Sequence, residues 1–164
     1  MVAVFILVAK YQKANDKEKK EICKFYLAHT KNINNWDLVD LSAPKILGDF
    51  LLKNDKTFSR NILVRLAKSK NLWEKRIAML ATFQFIYSNE YEWTFKITKI
   101  LIKDEHDLIH KACGWMLREV GKRVSEERLE EFLKENIKIM PRTMLRYAIE
   151  RLPEQKRKSY LNFK

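Results

Sequence analysis

The chain has 164 residues, of which 46% are hydrophobic and 33% charged, so its composition excludes an intrinsically disordered protein and its length suits one domain. Lys and Arg number 33 against 21 Asp and Glu, and the resulting net charge of +12 favours nucleic acid as a partner ahead of a membrane surface. Only three Gly and three Pro occur, which leaves little turn chemistry for hairpins, so we expect an all-α protein.

The predicted elements are helices joined by short loops. In chain order, apolar periodicity predicts helices over 2–14, 16–29, 59–69, 72–88, 92–103 and 107–123, with others starting near residues 36, 125 and 141. Pro44 either opens a new helix or kinks a continuous one. We assign 51–57 to a loop, end the last helix near Leu152, and expect the basic tail after Pro153 to fray.

The opening residues 2–9 are apolar, but they are far fewer than the roughly 20 residues of a membrane span and have no basic segment before them. We therefore expect a buried helix there, and a domain that opens on a core helix indicates that a preceding repeat is missing. Cys23 and Cys113 are the only cysteines and lie in apolar helical surroundings. Two free thiols suit a reducing compartment, so we expect a cytoplasmic protein.

Three side chains recur at nearly equal intervals, because Trp36, Arg76 and Trp115 are 40 and then 39 residues apart. A period of about 40 residues in an all-helical chain is typical of stacked helix pairs of the HEAT or armadillo type. Equivalent helices of such a superhelix line one concave face, so residues one repeat apart converge on a groove. We therefore predict an α–α superhelix with a concave basic groove. Its lining would include Trp36, Asp40, Arg76 and Trp115.

The predicted helix over 107–123 has an apolar side and a basic side when its residues are placed at steps of about 100°. The apolar side consists of Ile109, Ala112, Cys113, Met116 and Val120. Lys111, Arg118 and Lys122 lie opposite, and Trp115 falls beside them. Core packing is the ordinary role of a tryptophan. A ring within a basic stripe instead suits nucleic acid, with cations for phosphates and a flat face for sugar or base.

Arg76 is anomalous because it heads an otherwise apolar stripe with Leu80, Phe83 and Tyr87. Burying a guanidinium without a partner is costly, so Arg76 must bind a carboxylate or a phosphate. One interpretation is a structural ion pair with Asp40, and the other is a phosphate clamp. If the helix from residue 36 continues, Pro44 cannot donate to the carbonyl of Asp40, and the backbone beside that carboxylate becomes irregular.

Other catalytic chemistry is sparse. Asp37 competes with Asp40 as the carboxylate of the groove, but it lies about 100° around the helix from Trp36. His106 and His110 have a metal-capable spacing without an evident third ligand, so we expect no metal and no other cofactor. The sequence has no glycine-rich phosphate loop and no Ser or Cys nucleophile in a recognisable frame.

Four segments in order resemble the bacterial DNA alkylation repair family, whose members are HEAT-like-repeat alkylpurine DNA glycosylases of the D type. The segments are Asn-Trp-Asp-Leu-Val-Asp (35–40), Trp-Glu-Lys-Arg-Ile-Ala (73–78), Gly-Trp-Met-Leu-Arg-Glu (114–119) and Pro-Arg-Thr-Met-Leu-Arg-Tyr-Ala-Ile-Glu (141–150). The resemblance extends over about 14–153. Family members are longer at the N-terminus, so the resemblance implies that their first helices are missing from this chain.

The resemblance implies roles for the groove residues. Trp36 and Trp115 would match two tryptophans that contact the deoxyribose of the lesion, Asp40 the catalytic carboxylate, and Arg76 a phosphate contact. The implied activity is excision of N3- and N7-alkylated purines from duplex DNA by a monomer that associates with the nucleoid when it is bound to DNA. The competing hypothesis is a non-catalytic HEAT-like module that binds nucleic acid or protein.

Overall fold

The computed structural model describes residues 2–54 and 60–163, and every regular element within these two ranges is helical. The α-helices are α1 (Val2–Lys13), α2 (Asp16–Ala28), α3 (Trp36–Ser42), α4 (Asp49–Lys53), α5 (Asn61–Ala67), α6 (Leu72–Tyr87), α7 (Glu92–Leu101), α8 (Asp107–Arg123), α9 (Glu126–Asn136), α10 (Arg142–Ala148) and α11 (Glu154–Asn162). A 3₁₀ turn, Thr30–Asn32, precedes α3, and a π-helical stretch, Ala43–Gly48, joins α3 to α4.

Polar side chains cap several of these helices in the way the sequence indicates. Asn15 and Glu18 form a reciprocal capping box at the start of α2. Asn35 caps α3, and Asn71 and Ser125 cap α6 and α9. Each cap satisfies backbone N–H groups that have no intrahelical acceptor, which explains why these boundaries were predictable locally.

Helix α6 is the centre of the core. Nine of its 16 residues are buried, and it contacts α3, the π-helical stretch, α5, α7 and α8. Farther along the chain α7 packs on α8, and α8 packs on α9 and α10. Helices that contact mainly their near neighbours in sequence form the stacked arrangement of an α–α superhelix. No helix of the described ranges has the length and apolarity needed to cross a bilayer.

The chain stays helical through Pro44, so a continuous helix is the alternative that occurs. Pro44 has no N–H, and the carbonyl of Asp40 therefore loses its usual helical donor. The helix widens into the π-helical stretch immediately after α3, and Pro44 itself is buried. Insertions of this kind are frequent at functional sites. The predicted irregular backbone beside Asp40 is confirmed.

The prediction that the opening segment is a buried helix is wrong. Val8 and Tyr11 of α1 are buried, whereas Val2, Phe5 and Ile6 are each more than half exposed. The segment is apolar on all sides, so its periodicity does not reveal which side faces the core. Tyr11 is turned inward, with its hydroxyl donating to a carboxylate of α4 at 2.8 Å.

Two other boundary predictions are wrong. The predicted loop over 51–57 begins too early, because α4 continues to Lys53; residues 55–57 of that loop, and residue 59 of the next predicted helix, lie outside the described residues. The last predicted helix ends at Ala148, and the tail that was expected to fray forms α11. Lys156 secures α11 to α9 through carboxylates at 2.6 and 2.5 Å.

Candidate functional site

Asp40 and Arg76 form a bidentate ion pair between α3 and α6. The Nε of Arg76 donates to Oδ1 of Asp40 at 2.9 Å, and Nη2 donates to Oδ2 at 2.7 Å. The side chain of Asp40 is 18% exposed and that of Arg76 is 7% exposed. The paired geometry fixes the plane of the carboxylate as well as its position. Of the two interpretations of Arg76, the ion pair with Asp40 is the contact present in this structure.

The third nitrogen of Arg76 ties the pair to α8. Its Nη1 donates to the backbone carbonyl oxygen of Leu108 at 2.9 Å, in the first turn of α8. Beside it, Lys75 binds the carboxylate of Asp104 at 2.6 Å. Burial raises the pKa of Asp104, but hydrogen bonds from Lys75 and from a backbone N–H lower it by more. Two adjacent polar contacts therefore hold the start of α8 and the segment just before it to α6.

Trp36 stands one helical turn before Asp40, at the first position of α3. Its side chain is 52% exposed, which is unusual for the largest apolar residue. Residues four apart on a helix share a face, so Trp36 and Asp40 project on the same side of α3. An exposed indole therefore lies on the same side of α3 as the fixed carboxylate.

Trp115 is half-buried on α8, where it packs partly against the core. Its ring lies 5.8 Å from that of Phe83 on α6, at an interplanar angle of 58°. Each of the five residues assigned to the apolar side of α8 is fully buried. Trp115 therefore sits at the boundary between the core and the basic side. Within the described residues no ring contact joins it to Trp36.

The three cations predicted at the rim of the groove differ in their engagement. Lys111 pairs with Asp107 at 2.7 Å. Arg118 is mostly buried and forms an ion pair with Glu150. Lys122 is exposed, and no ion pair is found for it in the described ranges. The basic side of α8 therefore offers one unpaired cation and two whose carboxylate partners compete with any incoming phosphate.

The two histidines considered as metal ligands have other partners. His106 caps α8 by accepting the backbone N–H of Leu108 at 3.2 Å. His110 binds the backbone carbonyl oxygen of Asp104 through Nε2 at 2.5 Å. Across residues 2–54 and 60–163 no group of three potential metal ligands occurs. Burial raises the pKa of both cysteine thiols, that of Cys23 to about 12, so neither is an activated nucleophile.

Apart from the Arg76–Asp40 ion pair, sequence reasoning missed the polar contacts that cross between helices. The carbonyl of Leu108 has no signature in a sequence, since every residue carries one. Glu119 and Arg123, in contrast, are four apart on α8 and bond at 2.6 Å, a pairing that helical spacing predicts. Tyr87 was placed on the stripe of Arg76 without a role, and it is 57% exposed at the end of α6.

Comparison with known proteins completes this description. Residues 1–152 match the family described as DNA alkylation repair enzyme. A solved structure of a predicted DNA alkylation repair enzyme from Enterococcus faecalis is similar, with a TM-score of 0.71 and 20% identity over 93% of this chain and 68% of that one. This likeness confirms the predicted all-α superhelical fold. No curated protein sequence matches the chain. The resemblance first drawn from four short segments is confirmed, and the chain belongs to the DNA alkylation repair enzyme family.

Proposed function

We propose that this protein is a DNA glycosylase that removes positively charged N3- or N7-alkylated purines from duplex DNA by hydrolysing the N-glycosidic bond. The observation that carries the proposal is the Asp40 carboxylate, held rigidly by Arg76, partly open to solvent and one turn from an exposed tryptophan. A carboxylate in this setting is fixed before any substrate arrives. Preorganised charge of this kind stabilises a transition state without reorganisation at the moment of reaction.

The reaction needs little more than a fixed anion. An alkylated purine already carries a positive charge, so the C1′–N bond can break with its electron pair returning to the purine. The sugar becomes oxocarbenium-like, and water then forms the new C1′–O bond and gives its proton to solvent. Asp40 stabilises the cationic sugar more than the ground state. A neutral purine would be a poor substrate, because no acid among the proposed site residues protonates the leaving base.

The ion pair leaves Asp40 able to act. A carboxylate has about four lone-pair positions, and Arg76 occupies one on each oxygen. The remaining positions can accept a hydrogen bond from the attacking water and orient it toward C1′. Arg76 also retains two of its five N–H groups, since three are used by Asp40 and Leu108. To accept from these groups, a phosphate oxygen must contact the 7% of the Arg76 side chain that is exposed.

The proposed DNA contacts follow from the exposed rings and cations. The faces of Trp36 and Trp115 favour a cationic sugar, which is the same electrostatic preference as for any cation over an aromatic ring. Lys122 can bind a phosphate directly, whereas Lys111 and Arg118 must first exchange their carboxylates for phosphates. The substrate is thus double-stranded DNA, and one copy of the chain supplies all of the proposed contacts.

The decisive experiment compares release of 7-methylguanine or 3-methyladenine from methylated DNA by the natural protein and by Asp40→Asn. Removing the charge should lower excision by a factor on the order of 10²–10³, the scale for one preorganised electrostatic group. DNA binding should change little or tighten, because a negative charge is removed near a polyanion. The matched control is Asp37→Asn, three positions earlier on α3, which should excise normally.

Because Asn cannot accept both donors of Arg76, a thermal melt must show that Asp40→Asn is folded at the assay temperature. Excision by folded Asp40→Asn at the natural rate would refute the catalytic role of Asp40. The second candidate is a non-catalytic DNA-binding module, favoured by Arg76 being almost fully buried in an ion pair that stabilises the fold. Binding to DNA without excision above spontaneous depurination would support that candidate and reject the glycosylase.

A further inference from the structure

Two aromatic rings and a guanidinium lie together at the end of α6. None of the three side chains belongs to the proposed glycosylase site. The rings of Phe83 and Tyr87 have centroids 4.8 Å apart. The guanidinium carbon of Arg123, from α8, lies 4.4 Å from the Tyr87 centroid and 5.8 Å from that of Phe83. We name Phe83, Tyr87 and Arg123 the aromatic–arginine platform.

A buried carboxylate, that of Glu119, holds the Arg123 side chain of the platform in place. Glu119 is almost fully buried, so its charge requires a partner. The Nε of Arg123 donates to Oε2 of Glu119 at 2.6 Å, while Arg118 lies at 3.9 Å on the other oxygen. Since Nε is anchored, the guanidinium keeps its place over the Tyr87 ring. A surface so held loses little side-chain entropy when it binds a ligand.

The platform is continuous with the proposed site. Phe83 and Tyr87 follow Arg76 by seven and 11 residues on one unbroken helix. Around the helix axis, both positions therefore lie within about 20° of Arg76. The distances along the helix axis are roughly 10 and 16 Å. Trp115 contacts the Phe83 ring. Aromatic side chains therefore follow the Asp40–Arg76 pair along α6, half-buried at Phe83 and Trp115 and exposed at Tyr87.

We propose that the aromatic–arginine platform stacks an unpaired nucleobase of the DNA strand that lies in the groove. The inference rests on the proposed function in taking DNA as the ligand. Tyr87 is 57% exposed and adjoins a guanidinium. Proteins that bind single-stranded nucleic acid stack its bases on aromatic and Arg side chains of this kind. Bases inside a duplex have both faces covered by their neighbours, so only an unstacked base can use the platform.

Charge favours DNA over a protein partner at this surface. The chain carries a net +12, and the Arg123 guanidinium is itself a cation of the platform. A nucleobase arrives with its phosphate attached, so this positive charge favours its approach. Cation–π contact between Arg123 and Tyr87 alone contributes little at an exposed site. It therefore does not explain why Tyr87 stays 57% exposed.

The test uses duplexes that contain 2-aminopurine either fully paired or as a single unpaired nucleotide. The unpaired nucleotide is placed in turn within about five base pairs of the lesion, the distance that 16 Å spans at about 3.4 Å per step. The natural protein should bind the best-placed unpaired duplex about tenfold more tightly than the paired one, the scale of one base stack. Binding should also quench the 2-aminopurine fluorescence.

Tyr87→Ala should abolish both the preference and the quenching, while Tyr87→Phe keeps the ring and should retain both. Tyr87 is exposed at a helix end, so its removal does not threaten the fold. Arg123→Lys keeps the charge but loses the planar face, and should reduce the preference without changing the affinity for paired duplex.

Equal affinity of Tyr87→Ala and the natural protein for the unpaired duplex would overturn the platform, as would a natural protein without any preference. A protein that shows the preference but excises no base would reject the glycosylase and leave the platform standing. If the natural protein excises the base and Tyr87→Ala binds the unpaired duplex equally well, the platform is rejected and the glycosylase is supported. Absence of DNA binding would reject both proposals.

Discussion

The Asp40–Arg76 pair should behave as one energetic unit, and this can be measured independently of any activity. Arg76→Met removes the cation and keeps an apolar side chain of similar length. Asp40, at 18% side-chain exposure, then regains part of its hydration, so the cost should fall near the lower end of the range for breaking a buried pair, about 3 kcal/mol.

Asp40→Leu should cost more, about 4 kcal/mol, because it leaves a guanidinium of 7% side-chain exposure with the Leu108 carbonyl as its remaining acceptor. Across a domain of this size that corresponds to a melting temperature lowered by roughly 8–16 °C. The double variant removes both charges at once and leaves only the Leu108 carbonyl without its donor. Its cost should not exceed about 4 kcal/mol, whereas the two single costs sum to about 7 kcal/mol.

Urea denaturation followed by far-ultraviolet circular dichroism gives the free energy of unfolding of all four proteins. The informative quantity is the coupling energy, expected to be about 3 kcal/mol. Additive single costs would show that the two side chains contribute independently, and the description of Asp40 as a carboxylate fixed by Arg76 would then be wrong.

Two further predictions concern the helices that surround the site. Gly114→Ala should destabilise the protein by about 1–3 kcal/mol, because a Cβ there would stand 2.5 Å from the Met144 carbonyl oxygen; Gly121→Ala, which meets the side chain of Leu129 and no backbone atom, is the matched control and should cost less in the same urea titration. The pKa of Asp104 is lowered from 3.8, so its contact with Lys75 adds stability that is complete above that value and is lost as the pH falls through the folded-state pKa. Asp104→Asn should therefore lower the free energy of unfolding by about 1–2 kcal/mol at neutral pH, and this deficit should shrink as the pH falls through the folded-state pKa. A deficit that does not shrink in acid would contradict a stabilising charged contact between Asp104 and Lys75.

Local sequence was sufficient for most of the helices. Apolar periodicity and capping residues operate within a few positions of each other, so α2, α6 and α8 lie within two residues of their predicted bounds. The same local rules predicted an irregular backbone beside Asp40 for a helix that continues through Pro44, since the missing N–H of Pro44 is a property of one residue. The spacing of 40 and 39 residues predicted stacked repeats because each repeat is one supersecondary unit.

Tertiary structure alone decided the features that depend on neighbours distant in sequence. An all-round apolar segment such as α1 has no preferred side until other helices cover one, so Val2, Phe5 and Ile6 were wrongly placed in the core. Helix α11 is polar along most of its length, and contacts such as that of Lys156 with α9 hold it in place.

The sequence by itself determined that Arg76 needs an anionic partner, because a guanidinium on an apolar stripe must find an anion, and it offered Asp40 as one candidate. Which anion it finds was a tertiary matter. The two residues are 36 positions apart, and only the packing of α3 and α8 against α6 brings the carboxylate and the Leu108 carbonyl to three nitrogens of one side chain. The stack of Arg123 on Tyr87 arises in the same way. Hydrogen bonds and ring contacts act over a few ångströms, so they exist only where the fold brings the partners together.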